Sequence, residues 1–267
     1  MEKIKKALER ARDLSNGVLT EVRQTKPICQ SSGFVDLTDI KYTSTKTIEI
    51  SNEVLREKRI LSGITSDPII DHYNVLRTQV LQRLKPNQWN LLAVTSPNEG
   101  CGKTITAINL AISIAREVNH SVLLIDMDLR NPSIRQYFVD ERLPGISDYV
   151  NEDKELSEIL FNPGLDKIVI LPGNRPINNS SEMLSSPKVV KLVQELKNRY
   201  QNRIVIFDMP PLLSCDDVIA FSPYIDAVML VVSEGSTLKK ELVRSCELVS
   251  KLNVIGTVIN KSKAVVL

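Results

Sequence analysis

Nine consecutive residues, Ser96-Pro97-Asn98-Glu99-Gly100-Cys101-Gly102-Lys103-Thr104, lie between an apolar run, Leu91 to Thr95, and a helical pattern that opens with Thr104-Ile105-Thr106-Ala107. The chemistry they can do is phosphate binding, in the pattern of a Walker A loop. The two glycines let backbone N–H groups fold around phosphate oxygens, and the helix N-terminus adds its partial positive charge. Lys103 reaches the outer phosphates, and the Thr104 hydroxyl is a ligand for Mg²⁺. Pro97 stands where the motif has its first glycine; it has no N–H to donate and a fixed φ, so the cradle runs from Asn98 to Thr104.

Carboxylates supply the second signal. An apolar strand, Val122-Leu123-Leu124-Ile125, discharges into Asp126-Met127-Asp128-Leu129-Arg130, and another, Ile204-Val205-Ile206-Phe207, ends in Asp208-Met209-Pro210-Pro211. A lone aspartate after a strand is commonly a cap or a turn residue. Two of them with Arg130, downstream of a phosphate loop, point to a metal–nucleotide site instead. Lys103 to Val118 makes a helix of about 24 Å, enough to return the chain to the start of a neighbouring parallel strand. Asp126 and Asp208 are therefore expected on the same sheet edge as the loop. Like charges 4 Å apart cost about 4 kcal/mol at an effective dielectric near 20, so these carboxylates beside a polyphosphate require a cation.

The elements that position these groups alternate: strands at 91–95, 121–126, 168–171, 203–208, 227–232 and 254–259, with helices such as 188–200 and 238–252 between them. That alternation specifies an α/β fold, a mostly parallel sheet covered on both faces, with its ligand beyond the carboxyl ends of the strands. A helix from about Asp67 to Leu84 leads into it, with Ile70, Tyr73, Leu76, Val80, Leu81 and Leu84 on one face. Upstream, Ile4, Ala7, Leu8, Ala11 and Leu14 mark an amphipathic helix over residues 1–17, fitted for a partner or a neighbouring subunit. Residues 18–59 read as a linker without sustained periodicity, and 60–267 as the P-loop domain.

Composition narrows the class. The chain has 267 residues, 34 Lys or Arg against 32 Asp or Glu, and is 42% hydrophobic. A net charge of +2 offers no basic footprint for duplex DNA, so nucleic acid is not the expected partner. The four cysteines form no C-x-x-C pair, which argues against a zinc knuckle or redox dithiol and for reduced thiols in a cytosol. No apolar stretch reaches the ~20 residues of a membrane span. A cytoplasmic protein is expected.

The loop and the Asp-x-Asp-x-Arg strand end together resemble the bacterial tyrosine kinases (BY-kinases) of capsule and exopolysaccharide assembly, within the MinD/ParA-like P-loop ATPases. The likeness runs from about Ile60 to Asn260. It includes Arg130-Asn131-Pro132 with Phe138, Gly145-Ile146-Ser147-Asp148-Tyr149, Gly173-Asn174-Arg175-Pro176 through Glu182-Met183-Leu184, Asp217, and the closing Gly256-Thr257-Val258-Ile259-Asn260. It implies a three-layer P-loop NTPase fold and a Mg·ATP-dependent protein-tyrosine kinase. The chain would serve polysaccharide synthesis and export, recruited to the inner face of the membrane by a chain-length-determinant or activator protein.

By the same resemblance Asp126 accepts the tyrosine proton, Asp128 supports the metal and attacking group, Lys103 stabilises the transferred phosphoryl, and Asp208 orients Mg²⁺. Thr104, Asp126 and Asp208 form the metal set, and Asn260 reads the adenine. Arg130 either clamps phosphate or pairs with Asp128 for structure alone. Ring-shaped homo-oligomers are implied, although the family's Glu-x-x-Arg-x-x-Arg helix reads Asp71-His72-Tyr73-Asn74-Val75-Leu76-Arg77 here. The segment 260–267 holds none of the tyrosines that the family carries at its C-terminal end, which keeps open a MinD/ParA-like ATPase switch without kinase activity. The extra lysine typical of partition ATPases is replaced by Asn98.

Overall fold

The computed structural model describes residues 45–61, 68–152, 154–199 and 202–262. The amphipathic pattern at 1–17 lies outside them, as does most of the 18–59 stretch. Among the described residues eight strands form one sheet: β1 (Lys46–Thr47), β2 (Leu91–Thr95), β3 (Ser121–Asp126), β4 (Phe161–Asn162), β5 (Ile168–Leu171), β6 (Arg203–Asp208), β7 (Ala227–Ser233) and β8 (Val254–Asn260). Their spatial order is β1-β4-β5-β3-β6-β2-β7-β8, and every neighbouring pair is parallel except β4 with β5.

The central strands β2, β3 and β7 are buried along their whole length. Their sequences are continuous apolar runs because helices cover both faces. Leu92 and Val94 join one core cluster while Leu91 and Ala93 join the other, the strand alternation that splits one sheet into two cores. On the first face lies α3 (Lys103–Ala115), with α2 (Pro68–Leu84) beyond it. Every α3 residue except Ile105 is buried, as expected of a helix packed between a sheet and a second helix. The opposite face carries α7 (Pro187–Arg199), through Val189, Leu192, Val193 and Leu196.

Between these, the short helices α4 (Ile146–Glu152), α5 (Leu156–Ile159), α6 (Ser180–Leu184) and α8 (Asp217–Phe221) fill the connections, and α9 (Lys239–Leu248) links β7 to β8. Among the described residues no helix is long and apolar enough to cross a membrane.

The boundary at residue 60 is too late. Residues 46–59, the end of the stretch read by sequence as linker, contain β1 and the helix α1 (Asn52–Glu57) and pack onto the domain. Leu55, Ile60 and Leu61 are buried, and Ile48 donates its N–H to the Asn162 carbonyl at 2.8 Å. A buried Asn109 on α3 holds this segment, accepting from the Leu61 N–H and donating to the Arg59 carbonyl, both at 3.0 Å. Two-residue strands and six-residue helices are too short to leave a periodic signal.

Arg77 is turned inward. It donates to the Ser113 carbonyl at 3.1 Å and pairs with Glu117 at 3.6 Å, tying α2 to the end of α3.

Candidate functional site

β6 lies between β2 and β3, so the phosphate loop after β2 and the aspartates ending β3 and β6 emerge side by side. Asp126 and Asp208 are register partners, and Val94 is the partner of Asp208 on the other side. Backbone bonds hold the three strand ends together: the Met127 N–H donates to the Asp208 carbonyl and the Met209 N–H to the Val94 carbonyl, each at 2.9 Å. A cavity of about 590 Å³ opens above, walled by the phosphate loop, Asp128, Tyr137, Pro211, Asn260 and Lys261.

The loop turns through two left-handed glycines, Gly100 (φ 72°) and Gly102 (φ 88°), before α3 begins. Ser96 Oγ donates to the Asn98 carbonyl at 2.7 Å and so closes the turn that follows Pro97. Glu99 is exposed on the cavity rim, whereas Cys101 is buried with its Sγ 3.6 Å from Thr237 Oγ1.

Lys103 is the centre of the charge cluster. Its Nζ is 2.8 Å from Asp128 Oδ2 and 3.4 Å from Asp208 Oδ1. Burial alone would lower its pKa, but the charges of Asp208 and Asp128 and the hydrogen bond to Asp128 hold it above the ordinary lysine value. Thr104 Oγ1 donates to Asp208 Oδ2 at 2.6 Å. Asp208 is itself raised, because complete burial outweighs Lys103 and the Thr104 bond.

Asp126 sits behind this group and is fully buried. Its Oδ2 accepts the N–H groups of Ser133 and Ile134 at 2.8 and 2.9 Å, whereas its Oδ1 is buried with no partner. Burial, with Asp208 next, pushes its pKa up to about 8. Two adjacent acids in a dry site therefore retain a proton that one of them would lose in water.

Six of the sequence candidates thus converge: Gly102, Lys103, Thr104, Asp126, Asp128 and Asp208. Arg130 does not pair with Asp128. Its Nε donates to Ser180 Oγ at 2.9 Å and its guanidinium lies 3.5 Å from the fully buried Asp217 and 3.9 Å from Asp216. Asn260 reaches the loop itself, its Nδ2 donating to the Cys101 carbonyl at 2.9 Å.

Four residues escaped the sequence reading. Lys261 donates from Nζ to the Gly100 carbonyl at 2.7 Å. Tyr137 lines the cavity, its pKa raised by burial and the charge on Asp208. Lys58 and Arg59, from the segment read as linker, form a cationic part of the rim. None belongs to a local motif; a basic residue just after the strand-end asparagine was the only available hint.

Among the described residues no group of three or more His, Cys, Asp or Glu is arranged to hold a metal ion by itself. A cation here would share oxygens from a hydroxyl and from phosphate.

Comparison with known proteins gives concordant matches. A family profile for the AAA domain matches residues 90–251. The chain is 31% identical over 196 residues to the tyrosine-protein kinase ptk of Acinetobacter johnsonii, covering 71% of this chain and 26% of that one. It is 29% identical over 195 residues to the tyrosine-protein kinase YwqD of Bacillus subtilis, covering 72% and 81%. The matched region is thus about a quarter of the length of relatives such as ptk, but most of YwqD. Among solved structures, the kinase domain of VpsO superposes with a TM-score of 0.65 at 28% identity, covering 73% of this chain and 96% of that one.

Proposed function

The chain belongs to the AAA domain family, and we propose that it works there as a Mg·ATP-dependent protein-tyrosine kinase of the bacterial type, in capsule or exopolysaccharide synthesis and export. A family member carrying this loop binds nucleotide. The observation that carries the kinase reading is the Lys103 ammonium, buried between Asp128 and Asp208 at the mouth of the phosphate loop. Support for the protein substrate comes from the relatives named as tyrosine-protein kinases, and support for the pathway from the motif resemblance alone.

The residues fit a magnesium ion. Thr104 Oγ1 and Asp208 Oδ2 are hard oxygens already 2.6 Å apart, and Asp126 Oδ1 is a buried carboxyl oxygen lacking a partner. Mg²⁺ is commonly held by one or two carboxylates together with substrate phosphates and water. When bound it would neutralise developing phosphate charge.

Phosphoryl transfer through a loose transition state needs positioning and charge neutralisation more than a strong nucleophile. Lys103 provides a fixed positive charge for the moving phosphoryl. As the phenol oxygen bonds to the γ-phosphorus, the bond to the β,γ-bridging oxygen breaks and ADP leaves. The phenol proton passes to Asp126 in its ionised form, which at this raised pKa is a stronger base than an exposed aspartate. Asn98 to Thr104 cradle the phosphates and Asn260 stands at the adenine end. Arg130 acts through Asp217, fixing the segment after Pro211.

A second reading, an ATP-controlled switch without protein phosphorylation, is favoured by one observation: Asp126 is fully buried and closed off from the cavity. Labelled ATP with mass spectrometry separates the two. Phosphotyrosine that disappears in Lys103→Met supports the kinase; nucleotide binding and slow hydrolysis with no modified tyrosine supports the switch. The membrane activator, the homo-oligomer and the cytoplasmic location under the membrane belong to the same proposal.

A further inference from the structure

Two contacts join the end of β8 to the phosphate loop, and a third braces the strand end itself. Asn260 Nδ2 donates to the Cys101 carbonyl at 2.9 Å, Lys261 Nζ donates to the Gly100 carbonyl at 2.7 Å, and the Lys261 N–H closes onto Asn260 Oδ1 at 2.8 Å. Lys261 is held in the left-handed region (φ 58°), unfavourable for a residue with a side chain. The bond to Asn260 Oδ1 offsets that cost. The strand end is fixed in turn by the Glu234 N–H, which donates to the Asn260 carbonyl at 2.9 Å.

Peptide planarity gives these contacts a consequence. In a trans peptide the carbonyl of one residue and the N–H of the next point in opposite directions. Holding the Gly100 and Cys101 carbonyls from outside the loop therefore aims the Cys101 and Gly102 N–H groups to the inside, where phosphate oxygens belong. Gly102 itself makes room for the device, since a Cβ there would come within 2.1 Å of Asn260 Nδ2.

We propose that Asn260 and Lys261 form a clamp that pre-orients the phosphate loop, with Lys261 as a positioning residue for polyphosphate binding. This rests on the loop being the phosphate site, and goes beyond the adenine role given to Asn260. Lys261 acts on the Gly100 carbonyl and not on the base, so its effect must be the same for any polyphosphate.

The test uses the full chain, a fluorescent ADP and inorganic tripolyphosphate as competitor. Lys261→Met is expected to weaken ADP and tripolyphosphate alike by about tenfold, the scale of one charge-assisted hydrogen bond. Amide exchange at Cys101 and Gly102 speeds up, the thermal midpoint stays at the wild-type value, and Lys261→Arg restores binding. Wild-type affinity for tripolyphosphate in Lys261→Met would overturn the clamp, whether or not ADP binding had changed. Wild-type protein that bound neither ligand would instead remove the phosphate site, and the clamp with it.

Discussion

Asp126 and Asp208 face each other in register across two parallel strands, both completely buried, with the Lys103 ammonium 3.4 Å from Asp208. Asp126 carries a raised pKa, so between the unfolded value near 4 and about 8 the folded protein holds a proton that the unfolded chain has lost. Stability of the nucleotide-free protein therefore falls as pH rises through that window and levels off above it. Asp126→Asn keeps an acceptor for the Ser133 and Ile134 N–H groups and removes the ionisation. Thermal melts from pH 5 to 9 should show a flatter profile and a higher midpoint at pH 8, by about 2–4 °C for each kcal/mol recovered. The same variant should make no phosphotyrosine. A midpoint at pH 8 equal to or below that of the wild type would contradict the raised acid.

Removal of Lys103 leaves Asp128 and Asp208 buried without their cation. Breaking such a pair from one side costs about 3–5 kcal/mol. Lys103→Met should therefore lose phosphorylation and melt earlier at neutral pH. The deficit should shrink at pH 5, where Asp208, its pKa raised by burial, is closer to neutral. A deficit independent of pH would place its origin in packing and not in charge.

Arg130 is half exposed, but its partners Ser180 and Asp217 are fully buried. Arg130→Ala should destabilise the fold. Turnover should fall through a displaced Pro211–Asp217 segment, with nucleotide affinity kept within about twofold, under 0.5 kcal/mol. Arg130→Lys loses the fork that reaches Ser180 and Asp217 together and should not rescue. Isothermal titration with ADP beside a phosphorylation assay checks the split. A large loss of ADP affinity would instead mean that Arg130 binds phosphate directly.

Asn109 secures the segment that precedes α2. Its amide satisfies the Leu61 N–H and the Arg59 carbonyl, and leaving a buried group unsatisfied costs about 1–3 kcal/mol. Urea unfolding of Asn109→Ala should show a loss on that scale. Unchanged stability would mean that residues 59–61 hold their place by apolar contacts alone.

The central sheet and the convergence of Lys103, Thr104, Asp126, Asp128 and Asp208 were legible because each has a local signature. Long apolar runs ended in acids, and a glycine loop led into a helix. Arg130 was ambiguous because its partner, Asp217, is distant in sequence and reached only through the tertiary fold. Residues 46–59 were read as linker because their order comes from Asn109 and the Asn162 carbonyl, not from their own periodicity. Arg77 fits a motif register associated with subunit contact, yet its guanidinium is engaged inside its own chain, a choice made by the neighbouring Ser113 carbonyl and Glu117.

Asn260 and Lys261 meet loop residues 159 and 161 positions earlier in the sequence. A ribosome adding about 5–20 residues per second exposes the glycine loop roughly 8–32 s before the lysine that secures it. During that interval the nascent sheet lacks the strand that orders the loop, and polyphosphate meets an unprepared surface. Full-strength ligand binding is thereby deferred until residue 261 has left the ribosome, so a product terminated before it would hold nucleotide more weakly.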